Sequence, residues 1–208
     1  MPITEILEAQ RILPVIGLPG AEYAKDTASA LLEGGMRAVE FTARFDGWEE
    51  AVDGVRKDYP ELCVGVGTVL DAGMAERAID SGVEFIVSPG FSREVLDATK
   101  ARGVTYIPGC ATATELTVVY NAGIRLAKFF PAESLGGPAA IKLLSGAFKG
   151  MRFLPTGGLD FSLIGGYLAL DSVIAVGGSF MCPSASVKKR DRGGLVRLCR
   201  KALEAVDG

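Results

Sequence analysis

The sequence predicts an α/β protein whose parallel strands close into a single (β/α)8 TIM barrel, preceded by one extra helix. Eight short apolar runs, rich in β-branched or aromatic residues, alternate with segments of helical spacing. The chain has 208 residues, at the short end of what eight such units need. Apolar residues make up 49% of it and glycines number 27, a composition suited to a packed α/β core and not to a disordered chain.

In chain order, segment 4–11 reads as a helix ahead of the first strand, placed to cover the bottom of a barrel. Strands are expected at 12–18, 38–43, 63–69, 84–88, 105–109, 126–130, 151–155 and 172–176. Helices at 21–34, 47–58, 72–81, 92–102, 112–122, 138–145 and 161–170 alternate with them, and 191–206 closes the chain. Strands buried on both faces read as continuous apolar runs, and their alternation with helices implies right-handed parallel crossovers. Eight evenly spaced units favour a closed barrel over an open sheet. No linker interrupts the pattern, so one domain is expected across 1–208.

Composition also excludes function classes. The formal net charge is −3, and the one basic cluster, Lys188, Lys189, Arg190 and Arg192, reads as a solvated loop, so no nucleic-acid partner is expected. Cys63, Cys110, Cys182 and Cys199 lack any C-x-x-C spacing, which suggests neither a zinc site nor a disulfide framework. No apolar run approaches membrane-spanning length and the N-terminus lacks a signal-peptide core, so the expected location is the cytoplasm. The chain contains no histidine. That removes Ser-His-Asp and Cys-His relays, imidazole acid–base steps and His-ligated metals, and leaves carboxylate, lysine, thiol or tyrosine chemistry.

In such barrels the site forms where strands end, so polar residues at those ends carry the most information. The second strand ends Val39-Glu40-Phe41-Thr42-Ala43-Arg44, and alternation puts Glu40, Thr42 and Arg44 on one side. The third ends in Gly65-Val66-Gly67-Thr68 and the fourth in Ser88-Pro89-Gly90, each either a rim feature or simple punctuation. Cys110 follows the fifth strand without a His partner and reads as a small packing residue, and Trp48 at its helix start reads as packing, the alternative being substrate stacking. The sixth strand carries one lysine in an apolar run, Leu126-Ala127-Lys128-Phe129-Phe130. Lys128 is the candidate nucleophile for carbonyl attack, the alternative being a structural ion pair with Glu40 or Glu133. The last two strands end in Thr156-Gly157-Gly158 and Gly177-Gly178-Ser179. Two adjacent glycine turns suit a phosphate held by bare backbone N–H groups, and the alternative is a pair of tight turns.

The pieces Glu-x-Thr-x-Arg at Glu40 to Arg44, Gly-x-Gly-Thr-Val-Leu at Gly65 to Leu70, Lys-Phe-Phe-Pro-Ala-Glu at Lys128 to Glu133 and Pro-Thr-Gly-Gly at Pro155 to Gly158 together resemble the 2-keto-3-deoxy-6-phosphogluconate (KDPG) / 4-hydroxy-2-oxoglutarate (KHG) aldolase family. The resemblance implies a class I, metal-independent aldolase that needs no cofactor beyond a covalent Schiff base on Lys128. It implies Glu40 as acid/base, Arg44 and Thr68 on the keto-acid carboxylate, and Pro89 and Phe130 around the imine. Gly157, Gly158, Gly178 and Ser179 would hold the distal phosphate, with Thr156 on the substrate chain. The implied substrate is a keto-acid phosphate, KDPG or its galactonate epimer, with KHG as a further substrate, and the implied assembly is a homotrimer. Two departures bear on substrate fit: Gly17 stands where some relatives carry a basic residue, and Phe45 where relatives commonly have a small polar one. The competing functions are a sugar-phosphate isomerase or epimerase using the same glycines without an imine, and a catalytically silent phosphometabolite sensor.

Overall fold

The computed structural model describes residues 1–207; Gly208, the last residue of the expected domain, lies outside the described residues. The ladder strands are β1 (Ile12–Ile16), β2 (Ala38–Thr42), β3 (Cys63–Gly67), β4 (Phe85–Val87), β5 (Thr105–Ile107), β6 (Gly109–Cys110), β7 (Leu126–Phe129), β8 (Arg152–Pro155) and β9 (Val176–Gly178). All paired strands are parallel. The helices are α1 (Ile3–Gln10), α2 (Ala24–Glu33), α3 (Trp48–Asp58), α4 (Ala72–Asp80), α5 (Arg93–Arg102), α6 (Ala113–Asn121), α7 (Gly137–Ala147), α8 (Ile164–Leu168), α9 (Ser184–Lys188) and α10 (Arg192–Asp207). Starts are fixed by side chains that take up free helix N–H groups: Asp71 accepts from Met74, Ser92 from Val95, and Thr112 with Glu115 forms a capping box.

The architecture is barrel-like α/β, but its ladders differ from the one closed eight-stranded sheet that the sequence predicts. They form a six-stranded sheet, β5-β4-β3-β2-β1-β9, and a three-stranded sheet, β6-β7-β8. Pro108 explains the first break. It splits the expected fifth strand into β5 and β6 because proline has no N–H for the ladder, although its carbonyl still accepts from Lys128 N at 2.8 Å. At the second break β8 meets the last strand only through isolated parallel bridges, Phe153 to Val173 and Thr156 to Gly177. The apolar run expected as the eighth strand at 172–176 contributes one bridge at Val173, and the ladder itself begins later, at Val176.

Alternation along the strands divides the core into two clusters. Val39, Phe41, Ala127, Phe129 and Phe153 pack in the larger cluster with the helices. Leu13, Ala38, Leu126, Leu154 and Ile174 pack in a second cluster together with Ile3, Ile6 and Leu7 of α1. The leading helix therefore plugs the N-terminal end of the strands, as expected. Gln10 locks it there: its buried amide accepts from Arg37 N and Ala38 N and donates to the carbonyls of Ile12 and Ala38. Buried polar groups cost stability unless paired, and here four backbone groups between α1, β1 and β2 are paired at once. With that end closed, the opposite end is left for chemistry.

The basic cluster near the C-terminus is exposed, as expected, but it is not merely loop. It bridges α9 and α10, with Arg190 paired to Asp26 and Arg192 to Glu33. Among the described residues no helix is long and apolar enough to cross a membrane.

Candidate active site

Parity along the strands places the key side chains. In β2, Val39 and Phe41 face the helices while Ala38 faces the interior, so Glu40 shares the interior side with Ala38. In β7, Ala127 and Phe129 face the helices and Leu126 faces inward, so Lys128 points into the interior as well. The two meet there. Lys128 Nζ lies 3.5 Å from Glu40 Oε1, and the residues are only 5% and 1% exposed.

Neither carboxylate oxygen of Glu40 has a hydrogen-bond partner among the described residues. The contact to Lys128 is a charge pair without hydrogen-bond geometry, so both oxygens remain free to accept a proton or a hydrogen bond from a third group. A buried polar atom left in this state costs stability, and such costs are concentrated at functional sites. Gly67 makes the arrangement possible: a Cβ there would lie 1.8 Å from Glu40 Oε1. Sequence reasoning singled out Gly67 as part of a motif but not for this space.

Beside this pair opens a cavity of about 330 Å³ at the C-terminal ends of the strands. Of the expected site residues, Arg44, Phe130, Thr156, Gly157, Gly158, Gly178 and Ser179 line it. Lys128 connects to it through Phe130, whose ring centroid is 5.2 Å from Nζ. Thr68 is held at the rim by accepting from Arg44 Nε at 3.0 Å, with its backbone in the left-handed region at φ 64°. Pro89 does not line the cavity. It lies against β6, where a Cβ on Gly109, the ladder partner of Lys128, would meet the Pro89 carbonyl at 2.0 Å.

Val15, Leu159, Cys182 and Ser184, which sequence reasoning had not placed in the site, also line the cavity, together with Thr42 and Gly17. Thr42 was legible from its alternation with Glu40 and Arg44. Cys182 and Ser184 gave no signal, because they follow the last strand in a segment without a recognisable pattern. Arg44 is the one cation on the lining, which otherwise offers hydroxyls, backbone and apolar surface.

The chemistry left over is consistent with this division of labour. Burial, helped by the charge of Glu115, pushes the Cys110 thiol up to about 12, so it stays protonated and packs, as expected. Trp48 is likewise buried at the start of α3. Among the described residues no group of three or more His, Cys, Asp or Glu side chains is arranged to hold a metal ion. Lys128 and Glu40 meet beside the cavity without lining it, and its wall carries one guanidinium, the Gly157–Gly158 turn and Gly178, which lies in β9 and does not form the second glycine turn expected there.

Comparison with known proteins agrees with this constellation. The family described as KDPG and KHG aldolase matches residues 3–198. A 2-dehydro-3-deoxy-phosphogluconate aldolase from Treponema pallidum is 39% identical over 98% of this chain and 97% of its own length. One from Pseudomonas aeruginosa is 40% identical over 97% of this chain and 92% of its own. The crystal structure of KDPG aldolase from Legionella pneumophila, with pyruvate captured as a covalent carbinolamine intermediate, superimposes with a TM-score of 0.92 at 32% identity, covering 96% of this chain and 97% of that one. On a match that runs through nearly the whole sequence and fold, this chain belongs to the KDPG and KHG aldolase family.

Proposed function

We propose that the chain is a class I aldolase that cleaves KDPG to pyruvate and glyceraldehyde 3-phosphate through a Schiff base on Lys128. The observation that carries this is the buried Lys128–Glu40 pair, an amine 3.5 Å from a carboxylate that has no hydrogen-bond partner among the described residues. The Lys128 amine attacks the C2 carbonyl, giving a carbinolamine that loses water to form an iminium. Glu40 takes the C4 hydroxyl proton, the C3–C4 bond breaks, and its electrons flow into the iminium to leave an enamine while the aldehyde departs. Glu40 then returns a proton to C3, and water releases pyruvate and the free amine. The covalent pyruvate carbinolamine in the Legionella relative supports the first of these steps.

Arg44 and Thr68, joined at the rim, hold the keto-acid carboxylate, and Pro89 and Phe130 shape the surroundings of the imine. Thr156 contacts the substrate chain. Gly157, Gly158, Gly178 and Ser179 receive the distal phosphate, an assignment supported by their shared cavity wall. KHG is a further substrate of the same site, in line with the family description. The strands function as one (β/α)8 barrel and one domain, with the bridges at Phe153 and Thr156 joining the two sheets. The protein works in the cytoplasm, consistent with its four free cysteines, without a metal and as a homotrimer. Trimer formation would cover apolar side chains such as Leu143, which is 78% exposed, and light scattering tests it.

The direct test is pyruvate release from KDPG by the wild-type protein and by Lys128→Met. Turnover by the wild type and its loss in the variant is the expected result, and appreciable turnover without Lys128 refutes the imine route. An isomerase would instead interconvert sugar phosphates without releasing pyruvate, and a sensor would bind without turnover.

A further inference from the structure

The loop that carries Gly157 and Gly158 runs from the end of β8 to α8, and one residue outside it holds both of its ends. At the first end, Ala132 N donates to the Thr156 carbonyl at 3.0 Å and Glu133 N donates to the Gly157 carbonyl at 3.2 Å. At the second end, the Tyr167 hydroxyl, carried by α8, donates to Glu133 Oε1. Tyr167 is fully buried, so its hydroxyl depends on that carboxylate for a partner. Burial and the neighbouring Glu133 charge raise the Tyr167 hydroxyl well above the usual phenol range, which keeps it a donor at any physiological pH. Between the two anchors Gly158 sits at φ +82°, and a Cβ there would come within 2.8 Å of Glu133 Cβ. The turn is thus folded directly against Glu133.

We propose that Glu133 and Tyr167 are positioning residues for the distal, phosphate-binding end of the site: their clasp fixes the Gly157–Gly158 turn so that its backbone faces the cavity. This rests on the aldolase reading for the identity of the ligand, and on the geometry alone for the clasp. Neither residue is on the cavity wall, and both act through the turn they hold. Because the clasp supports one end of the cavity and the Lys128–Glu40 pair lies elsewhere, loosening it affects recognition of the phosphorylated end more than chemistry at C2.

The experiment compares wild type, Tyr167→Phe, Glu133→Gln and Glu133→Ala, first by steady-state kinetics with KDPG and by proton exchange of pyruvate in D2O. Tyr167→Phe should raise KM for KDPG about tenfold, the scale of one lost charge-assisted hydrogen bond, with kcat and pyruvate exchange within about twofold of wild type. Glu133→Gln keeps an acceptor for Tyr167 and should recover most of the KM that Glu133→Ala loses. Amide hydrogen exchange of residues 157–163, followed in the same four proteins, should speed up in Tyr167→Phe and Glu133→Ala whether or not KDPG is the substrate. If the wild type does not cleave KDPG while exchange in that loop still accelerates, the aldolase reading falls and the clasp stands. Unchanged loop exchange, an unchanged KM in Tyr167→Phe, or equal losses in KDPG cleavage and pyruvate exchange would each overturn the proposal.

Discussion

Gly67→Ala is the substitution whose effect follows most directly from the packing at the site. The added Cβ would lie 1.8 Å from Glu40 Oε1, 2.6 Å from its Cδ and 2.8 Å from its Cγ, all far inside van der Waals contact. Gly67 lies in β3 opposite Thr42 in the ladder, so backbone pairing on both sides resists a shift of the strand. The carboxylate must therefore move, by roughly 1.5 Å to restore ordinary contact. That is a large displacement for a group that must reach both a substrate hydroxyl and C3, and misplacement of about 1 Å can cost on the order of 10²-fold in rate. Overpacking itself costs about 1–3 kcal/mol, which leaves a typical domain folded. In the assay, KDPG cleavage by Gly67→Ala is compared with trapping of pyruvate by borohydride, which needs the Lys128 amine but little from Glu40. Cleavage should fall by about two orders of magnitude while trapping persists. A variant that cleaves within twofold of wild type would show that the position of Glu40 is not what the reaction depends on.

Other expectations follow from the same geometry. Glu40→Gln keeps the shape of the side chain but cannot take a proton, so exchange of pyruvate methyl protons with D2O, read by NMR, should drop by about 10²–10⁴-fold while the imine still forms; exchange at the wild-type rate would assign the base elsewhere. Gly158→Val forces a β-branched residue into φ +82° and against Glu133, so KM for KDPG should rise with pyruvate imine formation spared, and equal damage to both would misplace the phosphate end. Activity should survive EDTA, because the imine serves as the electron sink; loss restored by added divalent metal would contradict this. Burial pushes the thiols of Cys63, Cys110, Cys182 and Cys199 from 9.0 up to about 12. Between those values the unfolded chain has released protons that the folded chain keeps, so stability should fall as pH rises through that window, read as a declining Tm; removing the cysteines without flattening that decline would refute the link.

Much of the site was legible because period-two alternation survives translation from sequence to strand. Glu40 sits between Val39 and Phe41, and Lys128 between Ala127 and Phe129, so alternation puts each lone charge on the face opposite its apolar neighbours, and the structure shows that face to be the interior. The Gly157–Gly158 turn was legible as a glycine pair at a strand end, and both residues take positive φ and line the cavity, whereas Gly177 and Gly178, expected as a second turn, lie within β9 without positive φ. What the sequence could not display were contacts between distant segments. The space that Gly67 leaves for Glu40, the hold of Glu133 on Tyr167, and the places of Cys182 and Ser184 on the cavity wall all depend on how strands and loops meet. The division into two sheets was hidden for another reason. Pro108 and the run before Val176 are apolar and read as strand, yet pairing is a matter of available N–H groups and register, which hydrophobic pattern does not encode.

A covalent bond between Lys128 and substrate can be trapped by reduction. Wild-type protein is incubated with pyruvate, reduced with borohydride, digested and mapped by mass spectrometry. One reduced pyruvyl adduct is expected on the peptide containing Lys128, and none in Lys128→Met. Absence of any adduct in the wild type, or an adduct carried by a different lysine and retained in the variant, would contradict it.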